Sequence, residues 1–248
     1  MIEVINLYKS FDNKPILKGI NATFYTGKIN LIIGQSGSGK TVLLKSMVGL
    51  HKVDKGKILM DNRDLVAMNS KELKAFRKEL GMVFQGGALF DSHTVLENVM
   101  FPLEMFTDLS ESEKKERAEY FLKRVNLENV NDLYPAEISG GMQKRVAIAR
   151  AIVLNPKYLF LDEPNSGLDP KTSKIIDELI ESITYEYQMT TVINTHDLSS
   201  MIEMGDNIVF IYKGQKKWQG NKNELLNSDC KELNDFIYAS SVLKHKPK

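Results

Sequence analysis

The sequence predicts an α/β fold with a mostly parallel sheet. Short runs of β-branched and other apolar residues alternate with helical patterns, as they do where helices connect the strands of a parallel sheet. Two helical patterns belong to this alternation: residues 40–50 follow the first strand, and the amphipathic residues 172–187 lie between two later strands. The predicted strands are residues 29–33, 81–85, 158–162, 190–195 and 206–212.

The middle of the chain departs from this alternation, because only helical patterns occur between residues 86 and 155. The first covers residues 94–106. The second opens at Ser110, which together with Glu113 has the spacing of a capping box. The third begins after Ser139. We therefore expect a helical subdomain inserted into an α/β core.

These patterns divide the chain into three expected regions. The α/β core should comprise residues 1–85 and 156–220, and the helical subdomain about residues 86–155. Residues 221–248 would form a C-terminal extension, with an amphipathic segment at residues 233–239 followed by a basic tail.

The composition is that of an ordinary globular protein. Of 248 residues, 42% are hydrophobic and 26% are charged, and 33 Lys and Arg against 32 Asp and Glu give a formal net charge of +1. A protein that binds nucleic acid mainly through phosphates is usually more basic, so no nucleic-acid partner is expected. The single cysteine, Cys230, has no second thiol with which to form an intramolecular disulfide or a metal cluster.

Neither a signal peptide nor a membrane span is expected from the sequence. The first residues lack a basic region followed by an apolar stretch. No apolar run approaches the roughly 18 residues that are needed to cross a bilayer. A role in a membrane process would therefore depend on another chain.

A glycine-rich segment between the first strand and the first helix matches a phosphate-binding pattern. Its spacing is G-x-x-x-x-G-K-[ST], which requires a preceding strand and a following helix, and both are predicted. Glycines let successive backbone N–H groups turn toward phosphate oxygens, and the helix N-terminus adds a positive dipole end. Lys40 would reach the β- and γ-phosphates of a nucleoside triphosphate, and the Thr41 hydroxyl would bind Mg²⁺. The residues expected to contact nucleotide here are Gly34, Gln35, Ser36, Gly37, Ser38, Gly39, Lys40, Thr41 and Val42.

Two adjacent acidic residues end another predicted strand. Asp162 and Glu163 follow the apolar residues 158–161, and α/β proteins bind ligands at the carboxyl edge of the sheet. Because neighbouring side chains on a strand diverge, the two carboxylates can serve different purposes. We expect Asp162 to hold Mg²⁺ through water and Glu163 to orient and polarise an attacking water. A surface turn is the alternative interpretation of this pair taken alone.

A third motif, Ser139-Gly140-Gly141, opens the last helix of the middle region. By itself, Ser139 could be an ordinary N-cap. Beside the phosphate loop and the acidic strand, the motif resembles the signature sequence of the ABC ATPases, and the three motifs stand in that family's order. The resemblance extends to about residue 220. It implies a P-loop NTPase core with a mostly parallel sheet, an N-terminal antiparallel β element and an inserted helical subdomain.

The resemblance also implies roles for single residues. Phe11 stands where the family has an aromatic ring that stacks on adenine, although a core position is the alternative for this residue. Gln85 matches the glutamine that senses Mg²⁺ and the attacking water, and His196 matches the switch histidine that contacts the γ-phosphate. Residues 166–169 match the segment that contacts the other subunit. The implied catalytic residues are Glu163, His196, Lys40 and Gln85, and the implied Mg²⁺ ligands are Thr41, Gln85 and Asp162.

Three residues depart from the family pattern. Ile138 and Met142 stand where Leu and Gln are commoner, and Asn165 replaces a small or hydroxyl residue. None of these changes removes a catalytic group, so the resemblance still implies an active ATPase.

The family resemblance further implies a homodimer whose two copies pack head to tail and trap two ATP molecules. The phosphate loop of one copy would face the signature helix of the other, whose N-terminus presents unpaired N–H groups to the γ-phosphate. The dimer would drive an integral membrane permease and would lie in the cytoplasm, at the inner face of the membrane, through that permease.

The transported substrate is the finest expectation. Residues 81–92, 98–103 and 139–142 resemble the ATPases of Mla-type phospholipid transport systems, which implies an MCE-domain lipid-binding protein as a further partner. An ATPase of amino acid uptake is the first alternative, because its motifs are nearly the same. A second alternative is an ABC ATPase that regulates envelope or division proteins without transport. A soluble ABC protein acting on DNA or ribosomes is a weaker third, because those typically carry two cassettes, a coiled coil or a basic linker.

Overall fold

The computed structural model describes residues 1–239, apart from the side chains of residues 198, 199 and 201. The basic tail expected at residues 240–248 lies outside the described residues. The strands are β1 (Ile2–Phe11), β2 (Lys14–Phe24), β3 (Lys28–Ile33), β4 (Lys55–Met60), β5 (Arg63–Asp64), β6 (Leu80–Val83), β7 (Tyr158–Asp162), β8 (Thr190–Asn194), β9 (Asn207–Tyr212) and β10 (Gln215–Gly220). The helices are α1 (Lys40–Met47), α2 (Ser70–Phe76), α3 (Val95–Phe106), α4 (Glu111–Arg124), α5 (Gly140–Ile152), α6 (Pro170–Tyr187), α7 (Leu198–Met204), α8 (Lys222–Leu225) and α9 (Lys231–Ala239).

The described chain forms two compact units. The first contains Met1–Leu73 and the chain from Thr190 onwards, and the second contains Lys74–Met189. The division into a core and a helical subdomain expected from the sequence has other boundaries, and it stays a prediction.

Parallel pairing organises the strands that carry the phosphate-binding pattern. In the first unit, β3 pairs in parallel with β8 on one side and with β9 on the other, and β10 adds an antiparallel edge to β9. The side chains from Ile29 to Ile33 are all buried. Nearly continuous apolar runs of this kind are typical of parallel strands that are covered on both faces. The parallel pairing of β3 with β8 and β9 confirms the expectation of parallel strands for this part of the chain.

A separate antiparallel sheet has the strand order β2-β1-β4-β5, in which β1 and β2 precede α1 and β4 and β5 follow it. A bulge interrupts β1, because its register against β2 shifts between Val4 and Leu7 and Asn6 has a left-handed φ of 47°. The strand therefore buries Ile2, Val4 and Leu7 without keeping a strict alternation. This sheet is the antiparallel β element that the family resemblance implied.

The second unit combines the parallel pair β6–β7 with helices α3, α4, α5 and α6. The capping box expected at Ser110 and Glu113 is present at the start of α4. Several boundaries differ from the predicted ones: α1 ends at Met47 and not at residue 50, β8 ends at Asn194 and not at residue 195, and the strand expected to reach Gln85 ends at Val83. The reason for the last difference is a turn that begins at Phe84, whose carbonyl accepts a hydrogen bond of 2.8 Å from the Gly87 N–H.

A buried asparagine ties the strands of the first unit to the segment that precedes β3. Asn30 is fully buried, and its Nδ2 donates to the carbonyls of Tyr25, Lys28 and Thr191 at 3.0 Å each. Its Oδ1 accepts from the Tyr25 N–H at 2.7 Å and from Asn207 Nδ2 at 2.9 Å. One amide side chain thus satisfies several buried polar groups, which explains a polar residue in an otherwise apolar strand.

We expect Asn30→Ala to lower the free energy of unfolding by about 3 kcal/mol, because it leaves several buried groups without a partner at about 1–3 kcal/mol each. Chemical denaturation of the variant and the wild type measures the difference. The matched control is Asn227→Ala, since Asn227 is exposed. Equal unfolding midpoints for Asn30→Ala and the control would contradict this role.

Candidate functional site

The phosphate-binding pattern lies where the sequence placed it, between the end of β3 and the start of α1. Two of its glycines are required by the backbone. Gly34 has a φ of 148°, and a Cβ there would stand 2.2 Å from the carbonyl oxygen of Ile211. Gly39 caps α1 with a φ of 108°, a conformation that other residues rarely adopt. The loop is therefore held in a tight curl that only glycine allows.

Lys40 and Ser38 give this loop donors that are suited to a phosphate. The Lys40 side chain is only 6% exposed and folds back across the loop, where Nζ donates to the carbonyls of Gly34 at 2.9 Å and Gln35 at 3.2 Å. The Ser38 hydroxyl is buried and finds no hydrogen-bond partner among the described residues. A buried hydroxyl without a partner is costly, so the loop has the donor set of a site completed by a ligand.

The start of α1 adds a third feature that favours an anion. The first turn of this helix is Lys40-Thr41-Val42-Leu43, which contains no acidic residue. The cap residue is Gly39, so no side chain covers the N-terminus. A helix N-terminus of this kind presents N–H groups and a positive dipole end. The residues present therefore fit the phosphates of a nucleotide.

The Thr41 hydroxyl is oriented by a residue that the sequence analysis did not single out. Asn194 ends β8, is fully buried, and donates from Nδ2 to Thr41 Oγ1 at 3.0 Å. The signal in the sequence is a polar residue at the end of an apolar strand. His196 stands two residues further on and is exposed. The same strand end thus carries an orienting amide and the expected switch histidine.

Phe11 is an exposed ring at the end of β1. It is 40% exposed, which excludes the alternative of a core position. His51 packs edge-on against it with ring centroids 5.2 Å apart, and Lys9 Nζ lies 4.7 Å from the Phe11 centroid. Burial lowers the pKa of His51, and the charges of Lys45 and Lys9 lower it further. The Phe11 ring is thus packed against His51 and still accessible for stacking.

In the second unit, the structure brings together two of the predicted catalytic residues. Gln85 Nε2 donates to Glu163 Oε2 at 3.1 Å and to the Ser166 hydroxyl at 3.3 Å.

Asp162 is the last residue of β7 and is 5% exposed. Glu163 follows with a left-handed φ of 49°, which is uncommon outside glycine and which concentrates at functional sites. The surface-turn interpretation of Asp162 therefore fails, because its side chain is buried.

The motif at the start of α5 lines a cavity of about 370 Å³. Ser139 is the N-cap, and its hydroxyl accepts from the Met142 N–H at 3.3 Å. Gly141 permits a close approach of α6, since a Cβ there would lie 2.7 Å from Thr172 Cγ2. Asp169 caps α6 on the other wall of the cavity. Both helix N-termini thus lie beside one open cavity within this unit.

Asn165, one of the departures from the family pattern, has a structural contact. Its Nδ2 donates to Asp177 Oδ1 on α6 at 2.8 Å. The residue therefore ties the loop after β7 to the following helix.

A phosphate loop between a parallel strand and a helix, with an acidic strand end elsewhere in the chain, defines a P-loop protein that binds a nucleoside triphosphate. Comparisons with known proteins agree with this class and refine it. The family model described as "ABC transporter" matches residues 17–166.

The curated relatives include two transport ATP-binding proteins. The chain is 36% identical over 236 residues to the "probable ribonucleotide transport ATP-binding protein mkl" of Mycobacterium tuberculosis. This alignment covers 95% of this chain and 66% of that protein. It is 34% identical over 246 residues to the "methionine import ATP-binding protein MetN" of Clostridioides difficile. This alignment covers 99% of this chain and 76% of that protein. The chain thus spans just under two thirds of the length of mkl.

Among solved structures, the dimeric post-hydrolysis state of the ATP-binding cassette MJ0796, bound to ADP and Pi, aligns with a TM-score of 0.82. The sequence identity is 32%, and the alignment covers 90% of this chain and 99% of that chain. The chain belongs to the ABC transporter family and has the fold of its ATP-hydrolysing cassettes. The expected fold class is thereby confirmed.

The helices found between residues 1 and 239 include none that is both long enough and apolar enough to cross a membrane.

Proposed function

We propose that this protein is the ATP-hydrolysing subunit of a membrane transporter and that it works as a dimer on a separate permease. The observation that carries the proposal is the phosphate loop, in which a buried Lys40 and an unpaired Ser38 hydroxyl face a tightly curled glycine backbone. The dimeric state of the MJ0796 cassette supports the expected homodimer. The proposed place of action is the cytoplasmic face of the membrane, reached through the permease.

In the first unit, the phosphate loop binds and orients the triphosphate. Lys40 would exchange its two carbonyl contacts for the β- and γ-phosphates, and Ser38 would gain the partner that it lacks. Thr41, whose hydroxyl is already oriented by Asn194, would be a ligand of Mg²⁺. When bound, Mg²⁺ neutralises charge that develops on the transferred phosphoryl group. His196 would contact the γ-phosphate, and Phe11 would stack on adenine.

In the second unit, Glu163 acts on the attacking water. Its carboxylate would accept a proton from that water, and the amide of Gln85 holds one of its oxygens at 3.1 Å. Asp162 and Gln85 have the oxygen donors that suit Mg²⁺. These groups would orient the reactants and stabilise charge without forming a covalent bond with substrate, as in P-loop NTPases.

The cavity at the start of α5 would serve the partner copy. Ser139, Gly140 and Gly141 place a helix N-terminus at an open surface, and a γ-phosphate bound by the other copy is an anion that fits it. ATP would then favour the closed dimer, and hydrolysis would remove that preference.

For the transported substrate, we propose phospholipid, on the resemblance of residues 81–92, 98–103 and 139–142 to the Mla-type ATPases, with an MCE-domain protein as an additional partner. The names of mkl and MetN give this proposal no support. The similarity to MetN favours a second candidate, the import of an amino acid such as methionine. The name of mkl adds ribonucleotide as a substrate class.

Affinity capture of a tagged Glu163→Gln variant from membranes of its native host, in mild detergent with ATP and Mg²⁺, separates these substrates. We expect a permease, an MCE-domain protein and enriched phospholipid in protein and lipid mass spectrometry. A permease with a solute-binding protein and no lipid enrichment would replace phospholipid with a small solute. Division proteins without a permease would refute the transporter. Tagged Lys40→Ala is the control for capture that does not depend on ATP.

A further inference from the structure

A buried lysine on α5 has no place in the mechanism above. Lys144 is 7% exposed, and its Nζ donates to the main-chain carbonyl oxygen of Gln85. Burying an ammonium group is costly unless it is paired or hydrogen-bonded. The cost is therefore offset by a specific contact, and that contact ends on a residue of the candidate site.

A second cation of the same helix holds the same loop. Arg150 donates to the carbonyls of Gly87 and Ala88 at 2.8 Å each. Both of these residues have left-handed backbone conformations, with φ of 76° and 48°. Two side chains of α5, six residues apart, thus bind three carbonyls of the loop that follows β6. We call Lys144 and Arg150 the carbonyl clamp.

Gln85 connects the clamp to Glu163, the general base of the proposed function. Gln85 is bound through its main chain by Lys144, while its side-chain amide donates to Glu163 and Ser166. The position of that amide therefore depends on where the Gln85 backbone is held. Lys144 lies close enough to Glu163 to interact electrostatically: burial lowers the pKa of Lys144, and the Glu163 carboxylate raises it.

We propose that Lys144 is a positioning residue for ATP hydrolysis, which fixes the Gln85 backbone so that the Gln85 amide orients the Glu163 carboxylate. The proposal rests on the function proposed above for Glu163. It places the start of α5, the loop after β6 and the end of β7 in one contiguous set of contacts within the second unit. A shift of α5 would therefore reach Glu163 through Lys144 and Gln85.

The test compares Lys144→Met, which removes the donor and the charge, with Lys144→Arg, which keeps both. Lys115→Met is the matched control, because Lys115 is an exposed lysine on α4. Steady-state ATPase assays give kcat and KM, and amide hydrogen exchange reports on residues 85–90 without requiring activity. We expect Lys144→Met to lower kcat about tenfold with KM for ATP within about twofold, as expected for a lost hydrogen bond from a charged donor. Exchange in residues 85–90 should become about tenfold faster, and Lys144→Arg should restore most of both values.

Two results for Lys144→Met would overturn the proposal. Unchanged exchange in residues 85–90 would mean that the clamp does not hold the loop. Faster exchange with unchanged kcat, or with KM raised as much as kcat is lowered, would mean that Lys144 does not position Glu163. If Lys144→Met does not fold, Lys144→Ala, which also removes the donor and the charge, replaces it under the same criteria. A wild-type chain without ATPase activity would instead refute the proposed function, while the exchange measurement would still decide whether Lys144 holds the loop.

Discussion

Glu163→Gln should lower ATP turnover about a hundredfold or more while leaving ATP affinity nearly unchanged. A positioned general base contributes about 10²–10⁴-fold to a rate, and the substitution removes the negative charge that would accept the proton. The local structure should survive. The carbonyl oxygen of a glutamine can still accept the hydrogen bond from Gln85 Nε2 that the carboxylate accepts at 3.1 Å. The left-handed backbone at residue 163 is also no harder for Gln than for Glu.

Phosphate release measures the turnover, and titration calorimetry measures ATP affinity. Because bound ATP would persist in this variant, sedimentation in the presence of ATP and Mg²⁺ should detect stable dimers. Glu178→Gln is the matched control, since Glu178 is an exposed glutamate of α6, and it should retain wild-type turnover. Turnover of Glu163→Gln at the wild-type rate would refute the role of general base.

The second large effect is expected for Lys40→Ala, which should weaken ATP binding about a hundredfold. Hydrogen bonds from a charged donor contribute about 1.5–3 kcal/mol, and 2.7 kcal/mol corresponds to about two decades in affinity. Lys40 is buried and already lies across the loop, in contact with the carbonyls of Gly34 and Gln35. Its ammonium is therefore held in place before nucleotide arrives, so little ordering of the side chain opposes binding.

Calorimetric titration with ATP tests this prediction, with Lys52→Ala as the control, because Lys52 is an exposed lysine of the same unit. Thermal unfolding of both variants separates a loss of binding from a loss of structure. If Lys40→Ala binds ATP with wild-type affinity, the loop is not the phosphate site.

Local patterns explain which elements the sequence revealed. The strand at residues 158–162 was predicted with its observed bounds, since it is buried throughout and its apolar run is continuous. The strands of the antiparallel sheet were not recognised from periodicity. In β1, the bulge at Asn6 lies between the buried Val4 and the next buried residue, Leu7. Buried side chains therefore do not recur at every second position of this strand. The edge strand β10 is polar, so it carries little apolar pattern at all.

The site divides in the same way between local and distant determinants. The phosphate loop could be recognised because all of its expected phosphate-binding groups lie within eight consecutive residues, whose glycines determine the backbone conformation locally. The contact of Asn194 with Thr41 joins residues 153 positions apart, and the contact of Gln85 with Glu163 joins residues 78 positions apart. No local pattern encodes such pairs, because they depend on which strands the fold places side by side.

By itself, the sequence determined the α/β class, the phosphate loop, the acidic strand end and the serine that caps α5, because each depends on short-range geometry or on burial of one strand. Only the tertiary structure decided that Phe11 is exposed and that Asn194 orients Thr41. It also decided that Lys144 is buried against the Gln85 carbonyl. These three outcomes depend on desolvation and on contacts between distant segments, and a side chain acquires both only when the whole unit is packed.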